Sequence, residues 1–242
     1  MKKLIIVILI SALAFNIAAG RRGKKKAGEM IDNVYCDNQY GFSMEFSNDF
    51  WDYSIKRDDD AVRVILTKQQ YDIPTHFIHA PNYTQVPKVT VYVDTTSMTL
   101  QMFTDSLLSD EYKSKQKNQI IGEFNLLFGD FVPQRRSKMK VDEEDAIMVI
   151  GERQYTMNVQ KAGTESNTAD VVTDFYGGAL LLVKKGDMLL MLHFICEKRY
   201  LAAELEDFMK LGEGMRFETP DEAAERIESQ KKESDQPVEA DQ

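Results

Sequence analysis

The sequence has few of the residue types on which most catalytic and metal sites depend. Its 242 residues include three histidines and two cysteines. It has no Gly-x-Ser-x-Gly elbow, no phosphate-cradling glycine-rich loop and no His-Glu-x-x-His helix. Nucleophilic and acid–base mechanisms therefore have few candidate participants, and we expect a protein that is not an enzyme and that uses no cofactor.

An excess of positive charge is absent as well. The formal net charge is -9, which argues against nucleic-acid binding by the chain as a whole. The charges are unevenly distributed, with a basic cluster at 21–26 and an acidic segment at 219–242. The acidic segment has no aromatic residue, so we interpret it as a partly disordered tail that contains a short solvated helix.

The N-terminal segment has the layout of an export signal. Lys2 and Lys3 precede an apolar run at 4–17, and small residues at 18–20 close it. The run is shorter than the roughly 20 residues that a membrane-spanning helix needs. We therefore expect an exported protein, periplasmic or extracellular. The cations at 21–26 resist translocation, so the alternative is a protein anchored in the membrane by an uncleaved N-terminus.

The periodicity of apolar residues predicts an α+β fold. Helical spacing predicts two amphipathic helices, near 100–112 and 200–211. Runs rich in β-branched and aromatic residues, some with a period of two, predict strands at 40–46, 62–67, 89–93, 119–128, 137–142, 146–159, 179–183 and 188–194. This order indicates a mostly antiparallel sheet covered by two main helices, an α/β/α sandwich. We divide the chain into an export signal at 1–20, a basic linker at 21–32, one α+β domain at 33–218 and the acidic tail at 219–242.

Three features together carry a resemblance to a known family. The chain has a Tyr-Gly-Phe-Ser-x-x-Phe … Trp opening between Tyr40 and Trp51, a mid-chain helix, and a late hydrophobic hairpin that leads to a last helix and Met-Arg-Phe at 215–217. This arrangement resembles the fold family of the photosystem II extrinsic subunit PsbP and the Ran-binding nuclear import factor, in its exported bacterial branch of unassigned role. Across 34–218, the resemblance implies an α/β/α sandwich that binds or assists a larger assembly and is not an enzyme. It implies no particular functional residue.

A metal site is the one chemical alternative that the residues offer. His76 and His79 are separated by two residues in the proline-rich loop at 69–88, with Asp72 nearby. Two imidazoles and a carboxylate can bind zinc or another borderline metal. The other interpretation is two solvated loop histidines.

The two cysteines, Cys36 and Cys196, leave two interpretations open. Outside the cytoplasm an even number of cysteines permits one disulfide. The alternative is two buried thiols that act as small hydrophobic side chains. A cysteine-based metal site is disfavoured because the sequence has no Cys-x-x-Cys pair.

These observations favour an exported, non-enzymatic binding or assembly module whose partner is another protein. We expect the protein to bind its partner through a face of the sandwich or through the loop at 69–88. One alternative is a metal-binding protein or metal-dependent hydrolase that uses His76, His79 and Asp72. Another is a membrane-tethered structural protein, in which membrane contact is made only through the uncleaved N-terminus.

Overall fold

Two antiparallel sheets and three α-helices make up the described part of the chain. The computed structural model describes residues 28–56, 61–69, 87–109, 131–159 and 170–234. For 153–159 and 170–175 it describes the backbone alone. The α+β class and the antiparallel pairing predicted from the sequence are confirmed. None of the helices within these ranges combines the length and the apolar character needed to cross a membrane.

The strands and helices have the following bounds. The strands are β1 Glu29–Ile31, β2 Val34–Asp37, β3 Phe42–Glu45, β4 Trp51–Ile55, β5 Val62–Lys68, β6 Lys88–Thr95, β7 Phe131–Val141, β8 Glu144–Val159, β9 Asp170–Lys185, β10 Met188–Glu197 and β11 Met215–Arg216. The helices are α1 Leu100–Leu108, α2 Leu201–Glu213 and α3 Pro220–Ser234, with a 3-10 turn at Lys198–Tyr200 before α2.

The larger sheet has seven strands in the order β4-β5-β6-β10-β9-β8-β7. Its central strand β10 is an apolar run with almost no polar alternation, because both of its faces are covered. On one face, Phe103 and Leu107 of α1 pack with Leu180 and Leu182 of β9. We refer to this face as the α1 face. Among the described residues, β4 and β7 are the two edge strands of this sheet. The strand predicted at 119–128 lies outside the described residues.

The smaller sheet covers the opposite face of the large sheet. Its order is β1-β2-β3-β11, and its inward side chains join a core that also includes Phe208 of α2. The rings of Phe208 and Phe194 stack there, with centroids 5.2 Å apart. The sequence correctly predicts a strand near Phe42, but this strand belongs to the second sheet and does not extend the large one.

Helix α3 packs on the outer side of the small sheet. Successive residues of a strand point to opposite faces, so Val34 and Cys36 of β2 face away from the main core. There they pack with Ala223 and Ile227 of α3. The sequence assigns 219–242 to an acidic, partly disordered tail, whereas the structure adds Pro220–Ser234 to the packed body. Two apolar residues at a spacing of four are enough to dock this otherwise polar helix.

Tight turns set the register of the long hairpins. Between β9 and β10 a two-residue loop begins with Gly186, whose φ is 59°, as the predicted hairpin requires. Between β7 and β8, Asp142 and Glu143 both have positive φ, 46° and 68°. Asp142 Oδ2 also accepts a 2.7 Å hydrogen bond from the backbone N–H of Phe217. The acidic turn is therefore tied to the segment that leads into α3.

Helix α1 begins at Leu100, where the apolar spacing predicts a helix. Its N-cap is Thr99, whose hydroxyl accepts a 3.2 Å hydrogen bond from the N–H of Met102. Residues 94–95 extend β6, because their backbone pairs with β10. The start of α1 lies next to the β7–β8 hairpin of the large sheet, and a groove separates the two.

Candidate functional site

The predicted metal ligands lie outside the described residues. His76, His79 and Asp72 fall between 70 and 86, so the metal hypothesis stays a prediction. Within the ranges that the structure describes, no group of three or more histidine, cysteine, aspartate or glutamate side chains is placed to hold a metal ion. A candidate site in the described part of the chain must therefore rest on other chemistry.

The two cysteines are free thiols in the structure, and both are buried. Cys36 packs under α3, whereas Cys196 lies in the core between the two sheets. Burial raises the pKa of both thiols, that of Cys36 to about 11. Neither thiol has the lowered pKa of a reactive cysteine. The choice between two buried thiols and a disulfide between Cys36 and Cys196 stays a prediction.

A buried ion pair joins the two sheets. Arg63 of β5 and Asp37 of β2 are each 0% exposed, and Arg63 Nε donates a 2.7 Å hydrogen bond to Asp37 Oδ2. The hydroxyl of Tyr35 donates to the same oxygen at 2.8 Å. The backbone N–H groups of Gln39 and Tyr40 donate to Asp37 Oδ1, each at 2.9 Å. Both oxygens of Asp37 are occupied, so the pair acts as a structural tie.

Other inward-facing cations are also paired with acids. Lys68 of β5 donates to Glu204 at 2.8 Å and to Asp207 at 2.5 Å, which fixes α2 to the large sheet. Arg226 of α3 donates to Glu218 at 2.7 Å. These pairs are structural, because they hold α2 and α3 to neighbouring parts of the chain through side chains that are largely shielded from solvent.

A polar cluster lies where β10 ends and α2 begins. Glu152 of β8 forms an ion pair with Lys198, and Glu197 Oε2 accepts from Arg199 Nε at 2.8 Å. Glu197 is 4% exposed, and its Oε1 has no hydrogen-bond partner among the described residues. The cluster secures the turn into α2, whose first residue Leu201 packs closely over Gly177.

Strand β7 presents an uncommon concentration of positive charge. It pairs with β8 on one side, and no strand among the described residues pairs with its other side. It carries four exposed cations and no acidic residue: Arg135, Arg136, Lys138 and Lys140. We call these four residues the basic edge. In a chain of net charge -9, they form a positive strip on an open strand.

Three cations of the basic edge lie on the α1 face. Lys138 is opposite Ile147 of β8, which packs in the cluster under α1. Alternate residues of a strand share a face, so Arg136 and Lys140 lie roughly 7 Å to either side of Lys138. Together they form a row of positive charge along one side of the sheet edge.

Two of the four cations have exposed acidic partners. Arg136 Nη1 lies 2.5 Å from Asp105 of α1, and this hydrogen bond lowers the pKa of Asp105. Lys140 Nζ lies 2.8 Å from Asp145. Arg135 and Lys138 have no ion-pair partner among the described residues. These two charges are therefore available to an anionic ligand.

A groove adjoins this row of cations. It has a volume of about 340 Å³ and lies between the start of α1 and the β7–β8 hairpin. Leu100, Ala146 and Ile147 supply apolar lining, while Lys138 and Asp145 supply charged groups. We call it the α1 groove. This edge has positive charge, an apolar recess, and a backbone that no strand in the described part of the chain pairs with. It is therefore the candidate functional site.

The sequence alone does not identify this site. It predicts a strand at 137–142, but strand order cannot be read from periodicity, so nothing in it indicates that the strand lies at an edge. The available signal was four cations without an acid between 131 and 141 in an acidic chain.

Comparison with known proteins gives distant structural likenesses. No protein-family model matches the chain, and no curated protein matches it. Among solved structures, it is similar to LpqN, involved in cell envelope biogenesis of Mycobacterium tuberculosis, with 12% identity, a TM-score of 0.44, and coverage of 72% of this chain and 82% of that chain. It is also similar to cyanobacterial PsbP (CyanoP) from Synechocystis sp. PCC 6803, with 10% identity, a TM-score of 0.46, and coverage of 78% and 94%.

A third similar structure is a protein from Bacteroides thetaiotaomicron VPI-5482, with 11% identity and a TM-score of 0.38. The match covers 79% of this chain and 50% of that one. A cyanobacterial PsbP is thus among the structures that this chain is similar to, and membership of that family stays a prediction. Likenesses at these values carry no information on what this chain binds.

Proposed function

We propose that this chain is an exported, non-enzymatic module that binds a protein partner at the basic edge and the α1 groove. The observation that supports it most directly is the separation of charge. Four exposed cations lie on one open strand of a chain whose net charge is -9. Like charges on one surface repel each other, and a partner of opposite charge relieves that repulsion.

The chemistry of the other charged groups agrees with a binding role. The cations that face the inner layers are Arg63, Lys68 and Arg226, and each already holds an acidic side chain in place. These ion pairs stabilise the fold. The basic edge differs because Arg135 and Lys138 are exposed and do not hold two elements together.

Export is the second part of the proposal, and it rests on the signal-like layout at 1–20. The test is the intact mass of the protein purified from its own cells. A mass that matches a chain starting near residue 20 supports export with cleavage of the signal. A full-length mass, with sedimentation in the membrane fraction, would support the membrane-tethered alternative.

Partner binding is tested by site-specific crosslinking in the native cells. A photo-crosslinking residue replaces Gln134 on β7, and a control places it at Ser54 on the opposite edge strand β4. We expect a crosslinked protein species from position 134 that is absent from position 54. The same crosslink should disappear when Arg135 and Lys138 are both changed to Glu. Equal crosslinking from the two edges would refute the proposal.

A separate experiment tests the metal-binding alternative. It rests on His76, His79 and Asp72, which lie outside the described residues. Elemental analysis of the native protein, before and after the double change His76→Ala and His79→Ala, distinguishes it from the binding module. Bound metal that is lost in the double variant would favour a metal-dependent function.

A further inference from the structure

The basic edge has the geometry to accept an additional strand. From Arg135 to Val141 the register with β8 is continuous, which gives seven regularly extended residues. The backbone groups that point away from β8 have no strand partner among the described residues. An extended peptide can hydrogen bond to such groups and lengthen the sheet.

The N-terminal part of β7 limits where pairing can begin. The register shifts between Pro133 and Arg135, which marks a bulge, and Pro133 has no N–H to donate. Both features block strand addition at that end. The accessible part of the edge is therefore Arg135–Val141, which contains all four cations.

The charges on this part of the strand select the partner. Lysine and arginine on an edge prevent pairing with neutral or basic strands, including β7 of a second copy. Opposite charges on directly paired strands are favourable, whereas like charges are unfavourable. The same residues that exclude a second copy therefore favour a strand with acidic side chains.

The α1 groove adds a requirement for an apolar side chain. It adjoins the row formed by Arg136, Lys138 and Lys140, on the same face of the sheet. An added strand would direct alternate side chains toward this face, next to Leu100 and Ile147. A volume of about 340 Å³ accommodates a branched apolar side chain.

We propose that the partner supplies an extended acidic segment that pairs with β7 as an additional strand and places one apolar side chain in the α1 groove. This inference rests on the proposed function, and it specifies the chemistry of the partner. Affinity comes from backbone hydrogen bonds to β7, and selectivity comes from Arg135, Lys138 and the groove.

The test uses the purified protein and a synthetic peptide. The probe is a blocked nine-residue peptide with Glu on both faces of an extended strand and a single central Leu for the α1 groove, and the control peptide has Lys in place of each Glu. Fluorescence anisotropy measures affinity, and hydrogen exchange measures the protection of backbone amides. We expect the acidic peptide to bind more weakly as salt increases, the control peptide not to bind, and new protection to be confined to Arg135–Val141.

Matched variants distinguish binding that depends on Arg135 and Lys138 from attraction by the net charge of the protein. The double change Arg135→Glu and Lys138→Glu should weaken the acidic peptide roughly fivefold to fiftyfold, since two favourable pairs become unfavourable. The milder change of both residues to Gln provides a second variant. The control is Lys210→Glu with Lys232→Glu, two exposed helix lysines, which makes the same change of net charge. The control variant should bind like the wild type.

Several outcomes would overturn the inference. Binding without protection of β7 amides would mean that charge attracts the peptide without strand pairing. Stronger binding after truncation beyond Ser234 would mean that this chain's own acidic tail occupies the edge. A dimer in sedimentation that is lost with Arg135→Glu would mean that a second copy occupies it. Failure of the crosslinking experiment alone would refute the proposed function, while the peptide result would still report what β7 accepts.

Discussion

Removal of Arg63 should reveal how strongly the two sheets depend on their buried ion pair. The change Arg63→Met keeps most of the side-chain volume and removes the charge. Asp37 then loses the donors at 2.7 Å and 3.3 Å that Arg63 supplies. It keeps the hydroxyl of Tyr35 and the backbone N–H groups of Gln39 and Tyr40. The variant therefore contains a buried carboxylate with three of its five donors.

The expected loss of stability follows from this count of donors. Removing one partner of a buried pair destabilises proteins by about 3–5 kcal/mol. Because three donors remain on Asp37, we expect the lower end of the range, about 3 kcal/mol. Adding Asp37→Asn removes the stranded charge but keeps an acceptor for the two backbone N–H groups. The double variant should therefore recover about 2 kcal/mol of that loss.

The assay is urea unfolding followed by tryptophan fluorescence. Trp51 is the single tryptophan and is 3% exposed, so its emission reports the packed core. With a slope of about 2 kcal/mol per molar urea, a loss of 3 kcal/mol lowers the midpoint by about 1.5 M. The control is Arg136→Met, which breaks an exposed pair and should change stability by less than about 1 kcal/mol.

Two results would refute this reasoning. If Arg63→Met and Arg136→Met shift the midpoint equally, burial does not distinguish the two pairs. If adding Asp37→Asn recovers nothing, the loss comes from the missing packing of the arginine side chain and not from a stranded charge.

Three further predictions concern other parts of the chain. Gly151→Ala should destabilise the protein by about 1–3 kcal/mol in the same urea assay, because its added Cβ would collide with a backbone carbonyl of β7. Alkylation of the unreduced, denatured protein should add two alkyl groups in its mass spectrum, one on Cys36 and one on Cys196; a protein with no added groups would contain the disulfide. The native protein should contain no stoichiometric metal by elemental analysis, and one equivalent that depends on His76 and His79 would contradict our proposal.

The fold was predictable where local periodicity determines structure. Helices α1 and α2 and the β9–β10 hairpin follow from apolar spacing and from Gly186, and all three are present. The separate small sheet was not predictable, since alternation around Phe42 shows that a strand has a buried face but not which sheet it joins. Strand order depends on contacts between residues far apart in the sequence.

The same limit applies to the candidate site and to the buried ion pair. Arg63 and Asp37 are 26 residues apart, and no periodic pattern connects them. The available signal was a charged residue inside the apolar run Val-Arg-Val-Ile-Leu of β5. For α3, the signal was Ala223 and Ile227 at a spacing of four within a highly charged segment. Each of these sequence signals identifies a contact only when the neighbouring element is known.

The docking of α3 should depend on pH through Glu218. Burial raises the pKa of this carboxyl, but hydrogen bonds from Arg226 and Ser43 outweigh it and hold the pKa below its ordinary value of 4.5. A pKa that is lower in the folded protein stabilises it above the unfolded value, and this contribution is lost as the pH falls through the folded value. Attachment of α3 should therefore be complete at neutral pH and weaken below about pH 4.5.

Hydrogen exchange of α3 amides measures this effect after correction for the intrinsic rate at each pH. We expect protection of Pro220–Ser234 to fall as the pH is lowered below about 4.5 in the wild type. The change Glu218→Gln should lower protection at neutral pH and remove most of the pH dependence, because the titrating group is absent. Glu225→Gln, on the exposed side of α3, is the control and should behave like the wild type. An unchanged pH dependence in Glu218→Gln would mean that other carboxyls, such as Glu45 beside Arg226, govern the docking of the helix.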